Sequence, residues 1–325
     1  MREDIFNSLD KAGFGSNVHE IAAEGPCRVL RLDDKTGEGF MTMYRVFDGV
    51  YLMYNDFHLK HCESEYQNPE TVLCIDHCRE GRIEHQNNLG GKYYMEAGDL
   101  RIDRRINHEG KVELPLSHYH GISIGFISDT AQRSLSREFP ELKLDLNMLG
   151  EKFCPTNKEF LIRDNEQLGI LFSQLYRAPK EIRHEYFKVK TAELLLILKS
   201  IDTAEYTEQH RYFPASRIDK VKEVHSLITQ SLDRTFTVEE LSQITGMPPA
   251  TLRNIFKAVY GAPIYQYIKV YKMKAAASML ISEKKMQISE ISMQLGYDNA
   301  SKFAAAFKDV MGVTPQCYRK GQEDT

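Results

Sequence analysis

The sequence predicts an α+β protein. Its front half is a β-barrel or sandwich with packed helices, and its rear half is an all-α domain of two helix-turn-helix units joined by a long helix. Three observations predict this. Short β-rich runs with regularly spaced turn signals fill the stretch from about Phe40 to about Ile127. Helical periodicity replaces them after Asp129. An internal repeat then occupies the last third of the chain.

In the front half, runs such as Tyr44-Arg45-Val46-Phe47 and Thr71-Val72-Leu73-Cys74-Ile75 read as strands. They are separated by turn signals at Asp48-Gly49, Glu80-Gly81, Asn87-Asn88-Leu89-Gly90-Gly91 and Gly98-Asp99. Glu166 to Arg177 reads as an amphipathic helix, and Ile182 to Ile201 as a longer one. The second is apolar nearly all round at Leu194–Leu198, so it must pack on its own barrel or on a second copy of the chain. A polar stretch from Asp202 to Pro214 follows as a linker. The expected organisation is therefore a regulatory domain over 1–201, a linker over 202–214 and a rear domain over 215–325.

Length and charge agree with two modules. A chain of 325 residues exceeds one ordinary core. From Pro214 onward it holds 15 Lys+Arg against 11 Asp+Glu, whereas the preceding part holds 27 against 35. An acidic front joined to a basic rear suggests a nucleic-acid-binding module on a separate partner domain. The longest apolar run is too short for a membrane span, and the N-terminus lacks the apolar core of a signal peptide, so a cytoplasmic, non-membrane protein is expected. Six scattered cysteines fit reduced thiols.

The repeat is the strongest signal. Leu241-Ser242-Gln243-Ile244-Thr245-Gly246 aligns with Ile291-Ser292-Met293-Gln294-Leu295-Gly296 at an offset of 50. Leu252, Phe256, Lys257 and Gly261 align with Phe303, Phe307, Lys308 and Gly312 at an offset of 51. Thr237-Val238-Glu239-Glu240 is a capping-box pattern, and Gly246 stands where a left-handed residue ends the helix. Pro248-Pro249 then opens the next helix. In the second copy Gly296 takes the glycine's role and Asn299 is the N-cap. Between the copies, Pro263 to Ile281 reads as one helix of roughly 28 Å, near the ~34 Å spacing of adjacent major grooves.

The segment from Ser216 to Lys320, about a third of the chain, resembles the AraC/XylS regulators. The residues carrying the resemblance are Ile288-Ser289-Glu290-Ile291, Leu295-Gly296-Tyr297, Ser301-Lys302-Phe303, Phe307-Lys308, Gly312-Val313-Thr314-Pro315 and Tyr318-Arg319. The resemblance implies a sequence-specific transcription regulator, not an enzyme, that binds double-stranded DNA through the second helix of each unit. Carried over by alignment, the groove-facing positions are Ala250, Arg253, Asn254 and Lys257 in the first unit. In the second they are Ala300, Ser301, Ala304 and Ala305, with Lys302 and Lys308 meeting phosphates. Arginine suits guanine and asparagine suits adenine, whereas alanines suit thymine methyls. Departures from the family pattern are Lys272 where arginine is usual, Ala304-Ala305 where Ser-Arg is common, and Pro248 in place of a serine cap.

The front half resembles, less specifically, the cupin-like regulatory half of such proteins. Tyr93-Tyr94-Met95-Glu96-Ala97-Gly98-Asp99-Leu100 followed by His108 looks like a cupin strand entry, and His184 to Leu195 looks like the helix that dimerises in relatives. The resemblance implies binding of an unidentified small-molecule effector, a metal chelate among the candidates, and a homodimer, with RNA polymerase as a further partner. No cofactor is implied. Ten of the 11 histidines and five of the six cysteines precede Pro214, grouped as His58-x2-His61-Cys62, Cys74-x2-His77-Cys78 and His118-x-His120. In a strand, Cys74, Asp76 and Cys78 share one face and His77 the other. His118 and His120 share a face and are the candidate metal ligands; the plainer alternative is ordinary core cysteines and surface histidines. The rival function is a cupin-type metal-dependent enzyme with an accessory DNA-binding domain.

Overall fold

The computed structural model describes residues 16–86, 91–156, 158–206 and 212–321. The chain divides into two compact units, one of residues 1–88 with 93–212 and one of 89–92 with 213–325.

The first unit is a curled sheet with helices packed on it. Its strands are β1 (Val18–Glu24), β2 (Cys27–Asp34), β3 (Gly37–Phe47), β4 (Val50–His58), β5 (His61–Gln86), β6 (Gly91–Glu96), β7 (Leu100–Glu113), β8 (Tyr119–Ile127) and β9 (Phe160–Ile162). They lie side by side in the order β1-β2-β3-β4-β8-β5-β6, with β7 paired to β5 and β9. Strand structure thus starts at Val18, well before the expected Phe40. The turn at Asp48-Gly49 joins β3 to β4, and Gly98-Asp99 joins β6 to β7. Glu80-Gly81 is not a turn: it lies inside β5 at a register shift beside β8. Gly81 has φ +88°, and a Cβ there would stand 2.1 Å from the His118 carbonyl oxygen, so the glycine permits close passage of two strands. Most of the turn expected at Asn87-Asn88-Leu89-Gly90-Gly91 lies outside the described residues, as does the side chain of His108.

Alternation along the strands separates two cores. On the helix-covered face, Val50, Leu52, Ile122, Ile124 and Phe126 pack against Leu168, Phe172 and Leu195. The covering helices are α1 (Ser128–Glu138), α2 (Leu146–Phe153), α3 (Glu166–Tyr176) and α4 (Arg183–Ser200). The last two match the helices expected from periodicity. On the opposite face, Leu32, Met41, Cys62, Cys78, Met95 and Tyr119 cluster together. His77 points to the helix side, stacked on Phe172 with ring centroids 4.2 Å apart. Burial there pulls its pKa down to about 4, so it is a neutral core histidine. Burial likewise pushes the Cys74 thiol up to about 12. The Cys74-His77-Cys78 group is thus core. The start of the expected linker is also core: Tyr206 is buried with the front-unit cluster and its hydroxyl accepts a hydrogen bond from Asn165 at 3.0 Å.

The second unit consists of α5 (Ala215–Gln230), α6 (Val238–Thr245), α7 (Pro249–Tyr260), α8 (Ile264–Ser282), α9 (Ile288–Gln294), α10 (Ala300–Met311) and α11 (Pro315–Lys320). The capping box at Thr237 and Glu240 is present, with both reciprocal hydrogen bonds. Gly246 ends α6 at φ +63°, and Pro249 stands in the first turn of α7. The Asn299 side chain caps α10 by accepting from Ser301 N and Lys302 N. The repeat is visible in the backbone: Gly261 N bonds Lys257 O as Gly312 N bonds Lys308 O, both glycines being left-handed.

Helix α8 carries the one lysine buried among the helices of this unit's described residues, Lys272. Its ammonium donates to Leu295 O at 2.9 Å, Arg234 O at 3.1 Å and Thr235 Oγ1 at 3.4 Å. Burial lowers its pKa and Asp233 opposes the shift. Leu295 O is at the end of α9 in the second repeat, whereas Arg234 and Thr235 precede α6 in the first. Lysine at this position therefore supports the fold as a junction between the repeats. Lys272→Met leaves those buried carbonyls without their donor and is expected to lower the stability of this unit by about 1–3 kcal/mol. Urea unfolding followed by circular dichroism checks it; an unchanged midpoint would show that the junction carries no net stability.

Candidate nucleic-acid interface

The second helices of the two repeats, α7 and α10, bury one face and expose the other. Leu252, Ile255, Phe256 and Val259 are buried in α7, and Phe303 and Phe307 in α10. The 3.6-residue period then turns Ala250, Arg253, Asn254 and Lys257 outward on the first helix. On the second, Ala300, Ser301, Lys302, Ala305 and Lys308 are exposed, and Ala304 is half-buried. All the positions expected to face DNA except Ala304 are thus on open surface. Their contact with DNA itself is a proposal, taken up below.

Arg253 has a partner that sequence reasoning missed. Its Nη2 donates to Glu239 Oε1 at 3.2 Å, with both side chains more than half exposed. Such a surface pair is worth little, at most about 1 kcal/mol, so the guanidinium is held in place without being locked. Asn254, Lys257, Lys302 and Lys308 keep their polar ends on the exposed face. Linker helix α8 runs 19 residues, about 28 Å. It is buried through Ile264 and Ile268 near its start and through Met273, Ala276 and Leu280 further on. An aromatic group of Phe256, Tyr260, Tyr267 and His225 fixes its early part to α5 and α7; His225 stacks on Tyr260 at 4.3 Å and bonds the Tyr267 hydroxyl at 2.7 Å. Lys269 pairs with Asp309 of α10 at 2.6 Å.

The front unit holds a cavity of ≈ 180 Å³ on the concave face of its sheet. Met41, Met53, Phe57 and Tyr119 supply apolar walls, and Asn55, Asp76, Arg101, Arg105 and Ser123 supply polar ones. The charges pair with each other: Arg101 with Asp103 at 2.8 Å and Asp76 at 3.5 Å, and Arg105 with Asp103 at 2.9 Å and with Asp76. Asn55 donates to Ser123 at 2.9 Å and Ser123 donates to Asp76 at 2.6 Å. That leaves Asn55 Oδ1 buried with no hydrogen-bond partner. These residues come from alternate positions of β4, β5, β7 and β8; Cys74 and Asp76 face the cavity as strand parity requires.

The two candidate metal histidines are near each other but differently engaged. Their ring centroids are 6.3 Å apart. His118 Nδ1 is bonded to the Leu116 carbonyl at 3.0 Å, whereas His120 Nε2 lies 3.2 Å from Asp56 Oδ1. Ser117, between Leu116 and His118, takes φ +57°, so the expected strand parity does not apply before Tyr119.

A family model described as a helix-turn-helix domain matches residues 241–321. The chain is 26% identical over 182 residues to the HTH-type transcriptional activator RhaR of Mannheimia succiniciproducens, covering 54% of this chain and 64% of that protein. It is 26% identical over 114 residues to the HTH-type transcriptional activator AarP of Providencia stuartii, covering 35% of this chain and 82% of that protein. Among solved structures, the C-terminal domain of the response regulator AraT from Geobacillus stearothermophilus is 27% identical, with a TM-score of 0.30, over 31% of this chain and 84% of that one. The repeated, capped helix pairs and the family match over the same stretch identify a helix-turn-helix domain of the AraC type in the rear unit.

Proposed function

We propose that this protein is an effector-responsive, non-enzymatic regulator that binds specific double-stranded DNA in the cytoplasm and acts there on RNA polymerase. The observation that carries the reading is the pair of capped, outward-facing helices α7 and α10 flanking one 19-residue helix. In this reading Arg253 and Asn254 read base edges in one groove. Lys257 faces the same groove, Ala300, Ser301, Ala304 and Ala305 allow close approach in the next, and Lys302 and Lys308 meet phosphates. Footprinting on DNA upstream of the protein's own gene tests it. Arg253→Ala is expected to cost about 1–3 kcal/mol at the cognate site and relax base preference in one half-site. Lys302→Ala and Lys308→Ala are expected each to lower the salt slope of binding by about 1 without altering base preference. An unchanged footprint and affinity for Arg253→Ala would remove the assigned reader.

The front unit, in the same reading, is a cupin-like sensor whose concave cavity receives the effector. An engineered cavity of about 150 Å³ is known to take a benzene ring, so ≈ 180 Å³ accommodates a compact ligand. Asn55 Oδ1 calls for an N–H or O–H donor, and the mutually paired arginines and aspartates disfavour a ligand with net charge. Small alcohols and amides are therefore expected to raise the melting temperature more than hydrocarbons of equal size, with Asn55→Leu abolishing the difference. Stronger stabilisation by carboxylates would overturn this choice of class.

Dimerisation through α4 completes the proposal. Ile182, Val189 and Leu196 stand seven residues apart and remain 51%, 59% and 39% exposed, while Leu194, Leu195 and Leu198 fill the unit's own core. An exposed apolar stripe with heptad spacing suits a helix of a second copy. Val189→Glu is expected to shift the sedimentation coefficient from dimer to monomer; a monomeric parent protein would eliminate the interface.

A further inference from the structure

We propose that Asp56, His58 and His120 form a binding site for a divalent transition metal of the zinc class, on the face of the front sheet opposite the cavity. The three ligand atoms lie within 4.8 Å of one another. His58 Nε2 and His120 Nε2 both converge on the same oxygen, Asp56 Oδ1, at 2.8 and 3.2 Å. Around a tetrahedral zinc with bonds near 2.0–2.1 Å, neighbouring donor atoms stand about 3.3 Å apart. The side chains therefore need shift only slightly to admit an ion. The two rings meet edge to face, with centroids 5.2 Å apart and planes at 88°, so their nitrogens converge while the rings stay clear of each other.

The sheet dictates this convergence. Asp56 is directly opposite His120 in the β4–β8 register, and His58 follows Asp56 by two residues on the same face. The alternate residues Asn55 and Phe57, with Tyr119 of β8, line the cavity on the other face. The outer row of β4 starts beneath the helices at Val50 and Leu52, and the Tyr54 hydroxyl still donates to Leu175 O of α3 at 2.7 Å. Beyond Tyr54 the row emerges at Asp56 and His58, both exposed. A single aspartate needs only one histidine to form an ion pair. Two imidazoles aimed at one carboxylate oxygen make a two-nitrogen, one-oxygen donor set suited to Zn²⁺, Co²⁺ or Ni²⁺. Three protein ligands leave a coordination position open to water or to a further ligand. His118 is outside the set, because the converging ligand atoms belong to Asp56, His58 and His120 alone among the described residues.

The untagged full-length chain, stripped of metal with EDTA and dialysed, is titrated with ZnCl₂ by calorimetry. Co²⁺ is then added for its coordination-sensitive visible spectrum. The expected result is a single equivalent of Zn²⁺ per chain. Asp56→Asn, His58→Ala and His120→Ala are each expected to weaken it by at least the ~10–100-fold seen on loss of a mere supporting residue, with His118→Ala unchanged. Apo-protein melting curves of the variants, taken in EDTA, separate lost ligation from lost folding. Absence of stoichiometric binding overturns the proposal. So does equal affinity in His58→Ala and His120→Ala variants that fold normally, or an equal loss in His118→Ala.

Discussion

The rear unit depends on one buried charge. Lys272 spends its three protons on acceptors from both repeats, so the linker helix, the turn before α6 and the end of α9 share a single anchor. The Gly296 turn completes the joint, because a Cβ there would stand 2.2 Å from the Asp233 carbonyl oxygen. A buried ammonium is tolerated when hydrogen bonds replace its water, and here two of the three acceptors are backbone carbonyls and the third is the Thr235 hydroxyl. The joint sets the two outward helices on one body and leaves their outer faces exposed.

In the front unit the corresponding constraint is strand parity. Because successive side chains alternate, β4 builds the helix-packed core with Val50 and Leu52 and the cavity wall with Asn55 and Phe57. Arg101 and Arg105 of the cavity wall are paired with Asp76 and Asp103, which keeps these charges from repelling one another in the desolvated pocket. The residues for packing, for the cavity wall and for the Asp56–His58–His120 group thus come from one nine-residue strand and its partner β8.

Much of the rear unit was legible because its determinants are local. The capping box at Thr237, the glycine at 246, the proline at 249 and the paired Gly261 and Gly312 act within one helical turn and recur in the repeat. The role of Lys272 was not legible, since its acceptors lie 23 to 38 residues away and sequence comparison marked it only as a departure from arginine. The front unit was legible in class and in the parity of Cys74, Asp76 and His77. Its early strands β1 and β2 and the passage of β5 through Gly81 were not, because they are fixed by pairing with distant strands. Asp56 escaped notice for the same reason: only the β4–β8 register brings it to His120.

If Arg253 reads bases as proposed, its pairing with Glu239 bears on how strictly operators would be chosen. A reading arginine with no other acceptor pays a full desolvation penalty when it meets the wrong base. With Glu239 at 3.2 Å, the proposed reader has a resting partner to which its guanidinium returns when guanine is absent. Mismatch then costs the difference between two bonded states, and the carboxylate adds a uniform repulsion toward the phosphates. In the proposed reading, such an arrangement would trade sharp discrimination for tolerance of imperfect sites.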